Sequence, residues 1–122
     1  MENSNEYRWF EQHCYQYGFV VRYRSDKVSI TGIDNEPWHF RYVGNPHATI
    51  MHEKDLCLEE YIDYLKQFSA DGKQFQAEVD GVNYAVYYVK SNGDSTEIPI
   101  LEAKDYIISG NNVDGFIVTL TL

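Results

Sequence analysis

Asp80-Gly81 separates two β-rich runs, Gln74 to Val79 and Val82 to Lys90. An Asp-Gly pair tolerates the positive φ angles that a two-residue hairpin turn demands, so these runs are expected to fold back as antiparallel strands. That hairpin commits the second half of the chain to a sheet. Further strands are expected at Glu97 to Leu101, Tyr106 to Ile108 and Phe116 to Leu122. Ser91-Asn92-Gly93-Asp94 reads as a turn, and Ser109 to Gly115 as a polar, glycine-bracketed loop. Eleven Tyr, six Phe and two Trp favour pleated surfaces and pocket walls over a helical bundle.

The first half has a different texture. Asn3 with Glu6 resembles a capping box, and Trp9, Phe10, Cys14 and Tyr17 follow at helical spacing until Gly18 offers a stop. Phe19 to Arg24 reads as a strand, Ser25-Asp26 as a tight turn, and Lys27 to Thr31 as a second strand. Gly32 to Asn35 form a loop, and Trp38 to Val43 a strand that Asn45-Pro46 ends. A second helix is expected from Cys57 to Phe68, where Leu58, Tyr61, Ile62, Leu65 and Phe68 share one face. Glu59 and Glu60 fall in its first turn, favoured there by the helix dipole. Ser69-Ala70-Asp71-Gly72 looks like a linker. The expected fold is therefore α+β: two helices on a small antiparallel sheet over residues 1–68, then a small β-rich module over 69–122.

Charge and hydropathy exclude several functions. A formal net charge of −9 is wrong for a nucleic-acid backbone or an anionic lipid surface. No run is long and apolar enough to span a membrane, and the acidic start Met1-Glu2-Asn3 is the opposite of a secretory signal. Cys14 and Cys57 are too few for a disulfide framework and read as free packing residues.

The chemistry concentrates in Glu36-Pro37-Trp38-His39-Phe40-Arg41-Tyr42-Val43-Gly44. A carboxylate and an imidazole this close can divide the work of a hydrolytic metal site, the imidazole holding the ion and the carboxylate moving a proton of water. On a regular strand, however, residues three apart point to opposite faces. Glu36 and His39 share a site only if the chain bends between them, and Pro37, which cannot donate to a ladder, gives a reason for such a bend. Without it, they are a half-buried histidine and a surface glutamate.

The stretch from about Glu6 to Leu65, half of the chain, resembles the second half of the zinc D-Ala-D-Ala carboxypeptidases of the VanY type. The residues that carry this are Trp9-Phe10, Tyr17 to Tyr23, Ile30-Thr31-Gly32-Ile33, Glu36 to Gly44, and Leu58-Glu59-Glu60-Tyr61, in the family's order. The resemblance implies that Glu36 is the catalytic base and His39 the third zinc ligand. It implies that Trp38 shapes the wall of the site and that Arg41 pairs with a carboxylate of the substrate, whereas among nineteen acidic residues a structural salt bridge is the competing reading of Arg41. The reaction implied is zinc-dependent hydrolysis of the terminal D-Ala-D-Ala amide of a peptidoglycan stem peptide, at the cell envelope or outside it.

The chain also departs from the family. The first two zinc ligands there, a His and an Asp, lie in an upstream Ser-x-His-x-x-Gly-x-Ala-x-Asp-type segment, and nothing like it precedes Glu36. A catalytic zinc needs about three protein ligands. His13, His47 and His52 are expected to be solvated or locally hydrogen-bonded, the last two in irregular chain. Cys57 replaces the family's helix-capping Thr, which predicts a frayed helix start. The chain alone is thus expected to be inactive, as a piece of a longer enzyme or a truncated relative. An uncovered sheet edge would favour homodimerisation or pairing with a segment that carries the missing ligands. The alternative is a non-catalytic cell-wall or protein-interaction module that retains the scaffold. In the second half, Tyr84, Tyr87, Tyr88 and Tyr106 suit cross-strand packing more than a ligand groove, and Asn111, Asn112 and Asp114 suit a turn more than a calcium loop.

Overall fold

The computed structural model describes residues 4–122. The chain is α+β and divides into two compact units, residues 1–61 and 62–122. The division falls inside a helix, before the linker-like Ser69 to Gly72 where the sequence suggests one.

In the first unit, helix α1 (Asn5–His13) starts at Ser4, whose Oγ accepts the Tyr7 N–H at 3.0 Å. Asn3, the expected cap, lies outside the described residues. Tyr7 and Cys14 are buried, whereas Trp9 and Tyr17 are at least half exposed. The expected apolar face is displaced because the helix tightens to 3-10 geometry over Cys14–Tyr17, so the 3.6-residue period does not carry through. Gly18, at φ 85°, ends it in the left-handed region. The Gly18 carbonyl then accepts the N–H groups of Val43 and Gly44, at 2.8 and 3.0 Å, which ties this corner to the end of the next hairpin.

Strands β1 (Phe19–Tyr23) and β2 (Glu36–Tyr42) pair antiparallel. The segment from Lys27 to Thr31, expected as a strand, is instead a 3-10 turn over Ser25–Lys27 that runs into the short helix α2 (Val28–Thr31). β1 has already taken β2 as its neighbour, and its sheet holds these two strands among the described residues, so strand propensity here finds no ladder to join. Side chains hold the helical alternative. Arg24 bridges Asp26 and Asp55, Lys27 Nζ reaches Glu60 Oε1 at 2.9 Å, and Gly32 closes α2 by donating its N–H to the Val28 carbonyl.

Asn45-Pro46, a cis peptide bond, ends the hairpin and leads into helix α3 (His47–Lys54), which sequence periodicity missed. Ala48, Thr49, Ile50 and Met51 are buried one after another, so the helix has no apolar stripe to reveal it. The Asn45 carboxamide oxygen accepts from the Thr49 N–H and hydroxyl, at 3.1 and 2.9 Å, and steadies the first turn.

Helix α4 (Leu58–Leu65) is shorter than expected, with Phe68 reached through a turn. Its start is not frayed. The Cys57 N–H donates to Glu60 Oε1 at 3.0 Å, the backward half of a capping box, which replaces the missing hydroxyl cap. Cys14 and Cys57 are both free and buried, and burial pushes the Cys14 thiol up to about 11.

The second unit is a four-stranded antiparallel sheet in the order β3-β4-β6-β5. β3 (Phe75–Val79) and β4 (Val82–Lys90) meet at the Asp80-Gly81 turn, with φ angles of 52° and 78°. β5 (Asp105–Gly110) and β6 (Gly115–Thr121) complete it. Val86, Tyr87 and Val118 are fully buried at its centre. On one side Tyr64, Phe68 and Phe75 make an edge-to-face cluster, with centroids 5.2 to 5.7 Å apart. Glu97 to Leu101, expected as a strand, is irregular. The Tyr87 hydroxyl donates to the Pro99 carbonyl at 2.6 Å and accepts the Leu101 N–H at 3.3 Å, and so takes the place of a ladder partner. Between β5 and β6, Asn111 Oδ1 accepts the N–H groups of Val113, Asp114 and Gly115. Lys66 and Asn111 hold the Asp114 carboxyl down at about 2. These contacts make a self-contained turn.

Candidate active site

The antiparallel register breaks where the chemistry sits. Val21 faces Phe40 and Tyr23 faces Glu36, so the three residues Pro37, Trp38 and His39 of β2 stand against the single Arg22 of β1, and β2 bulges with two residues to spare. A bulge re-aims side chains that strict alternation would separate. Here it brings His39 Nδ1 to 3.0 Å from Glu36 Oε1. The bend that Pro37 suggested is present, and the carboxylate and imidazole touch. Both stay partly open to solvent, at 30% and 44% side-chain exposure, so the pair is accessible to a reactant.

Three further residues pack behind it. Tyr23 meets the imidazole edge-on, with ring centroids 5.3 Å apart at 72°. The Arg22 guanidinium lies 4.4 Å from the centre of the Tyr23 ring. Arg22 in turn makes a two-pronged ion pair with Glu59 of α4, both distances 2.9 Å. Burial is the largest single influence on the Glu59 carboxyl and would raise it, but the Arg22 hydrogen bonds and charge, its backbone hydrogen bond and Cys57 together hold the group below its usual value. None of these three roles is visible in spacing, because each depends on the β1–β2 register or on where α4 docks.

Trp38 is 60% exposed, and Arg41 is exposed with no ion pair among the described residues. The other histidines stand apart from the pair. His13 stacks on Trp9 and contacts the Trp9 carbonyl at 2.7 Å, while His52 stacks on Tyr15. His47 Nδ1 lies 2.6 Å from the Tyr61 hydroxyl, and burial lowers its pKa to about 4. His47 and His52 sit in helix α3 and not in irregular chain, yet neither joins a cluster of donors. A groove of about 490 Å³ also marks this unit, lined by Tyr7, Glu11, Tyr15, Arg24 and Asp55. Of the motif's residues only Pro37 lines it, so it does not belong to the Glu36–His39 surface.

The zinc that the family resemblance implies does not fit the described residues alone. No group of three His, Cys, Asp or Glu side chains among them could hold a metal ion, and the acidic partner that His39 contacts is Glu36.

Comparison with known proteins agrees with the motif. The VanY D-alanyl-D-alanine carboxypeptidase family model matches residues 1–45. The chain is 46% identical over 120 residues, 98% of its length, to a D-alanyl-D-alanine carboxypeptidase of Enterococcus faecium. The chain is a relative of the VanY-type carboxypeptidases. It is 55% identical over 58 residues, 48% of its length, to the bifunctional D-Ala-D-Ala dipeptidase and carboxypeptidase VanXYC of Enterococcus gallinarum. The solved vancomycin-resistance D,D-dipeptidase VanXYg, in complex with a D-Ala-D-Ala phosphinate analogue, is 46% identical with a TM-score of 0.85 over 93% of this chain. This VanY relative spans only 38% of the E. faecium protein, 30% of VanXYC and 45% of the VanXYg chain. The matches to the E. faecium protein and to VanXYg run through the second, β-rich unit, so that unit is shared with them.

Proposed function

We propose that this chain contributes the Glu36–His39 half of a hydrolytic site for peptides of the peptidoglycan stem that end in D-Ala-D-Ala. One observation carries the reading: in a VanY relative, a bulge turns two residues that alternation would separate into a 3.0 Å contact. Glu36 is the general base. Its carboxylate takes a proton from the attacking water and delivers it to the departing amine as the amide C–N bond breaks. His39 is a metal ligand, Trp38 a wall of the site, and Arg41 the cation for the peptide's terminal carboxylate. The exposure of Arg41 and its lack of an ion pair among the described residues support that last role. Zinc is the cofactor in this reading, and its remaining donors come from a further segment, in the same polypeptide or in trans. The working place is the cell envelope, where stem peptides are found.

D-alanine release from a D-Ala-D-Ala pentapeptide tests this. The isolated chain with zinc is expected to release none. Supplying the rest of the domain, fused or in trans, is expected to give turnover that Glu36→Gln lowers by about 10²–10⁴-fold. Turnover by the isolated chain would overturn the half-site. No turnover after complementation would leave the non-catalytic module as the better account.

A further inference from the structure

We infer that Tyr23 is a positioning residue for His39, and that the Arg22–Glu59 pair locks Tyr23 in place from helix α4. The register makes Tyr23 the direct partner of Glu36, and partners in an antiparallel ladder project from the same face. The bulge then leaves His39 without a paired residue of its own on β1. A half-exposed imidazole in that position would sample several rotamers unless something fixes it. Glu36 holds one ring nitrogen, and the Tyr23 ring meets the imidazole edge-on, 5.3 Å away.

Tyr23 is itself fixed. The Arg22 guanidinium, 4.4 Å from its ring centre, stacks on it, and cation and ring attract. The Arg22 side chain is only 14% exposed, and both prongs of its guanidinium are taken by Glu59. A planar fork held at two points cannot swing away, which a single-point lysine contact would allow. The path therefore runs from α4 through Glu59, Arg22 and Tyr23 to the imidazole of His39. Its consequence is preorganisation: the ring orientation is set before any metal or peptide arrives.

This inference rests on the reading of Glu36 and His39 as the working pair, but its test needs neither metal nor turnover. In NMR spectra of the whole chain, the carbon-bound ring protons of His39 are expected to carry a ring-current shift from Tyr23, and its χ1 couplings to report one rotamer. Tyr23→Phe, which keeps the ring, is expected to preserve both. Tyr23→Leu is expected to move the ring protons to their free-histidine positions and average the couplings, with the rest of the spectrum unchanged. Glu59→Gln, which leaves the ring in place but weakens its clamp, is expected to broaden or partly average the same signals. Unchanged His39 signals in Tyr23→Leu, or loss of them in Tyr23→Phe, would overturn the inference. If Tyr23→Leu does not fold, the Phe and Glu59→Gln variants decide it. A negative NMR result leaves the hydrolase reading standing, and a failed peptide assay leaves the NMR result standing.

Discussion

At the scale of single residues, the Glu36–His39 contact carries the most consequence. General acid–base groups contribute about 10²–10⁴-fold to a rate, so Glu36→Gln in the complemented enzyme is expected to lower kcat by about that factor. KM should change little, because the amide keeps the shape and hydrogen-bonding reach of the acid. Steady-state kinetics on the pentapeptide would check both. His47 gives a second expectation. Its folded pKa is near 4 against an ordinary 6.5, so the unfolded chain binds the proton more readily. Stability is fully present above pH 6.5 and declines as pH falls toward 4, by at most about 3 kcal/mol. Urea midpoints across that range, compared with those of His47→Gln, would show it as a slope that the variant lacks. The motif stands out in the sequence by its residue types and by its resemblance to the VanY family, and the roles proposed for Glu36 and His39 follow from that resemblance. Their contact could not be read there, since it depends on a bulge whose register β1 sets.

Among the elements, local signals succeeded where the local choice was decisive. Asp80-Gly81 adopts the positive φ pair that its residue types favour, and β3 and β4 pair about it. Gly18 ends the first helical segment as expected. The misses share one cause, a partner that lies far away in sequence. Val28, Ile30 and Thr31 are β-branched but find no neighbouring strand, and Lys27 is instead drawn to Glu60. Helix α3 is buried along four successive residues, which erases its period. Glu97 to Leu101 gives its backbone hydrogen bonds to a tyrosine hydroxyl. Tyr87→Phe removes that hydroxyl and is expected to cost about 1 kcal/mol, read as a lower denaturant midpoint. Faster amide exchange at Leu101 should accompany it. Unchanged exchange there would mean that segment 97–101 is held by other contacts.

For the whole molecule, the proposed function turns on how much of the proposed site one chain contains. Catalytic zinc needs about three protein ligands, and no group of three His, Cys, Asp or Glu side chains among the described residues could hold a metal ion. Calorimetric titration of zinc into the isolated chain is expected to show no His39-dependent binding at micromolar concentration. Binding of that strength, lost in His39→Ala, would mean that donors assemble within the chain or between copies of it. The chain spans less than half of each of the three relatives described above, which fits a site shared with another segment. By itself the sequence determined the α+β class and the hairpin at Asp80-Gly81, which are written in residue type and short-range spacing, and the resemblance to the VanY family, which is written in the order of its motifs. The tertiary structure alone decided that β2 bulges to bring Glu36 and His39 together, that Tyr23 and Arg22 back them from β1, and that Glu59 anchors this backing from α4. Those outcomes depend on register and docking between distant segments, whose free energies no local pattern encodes.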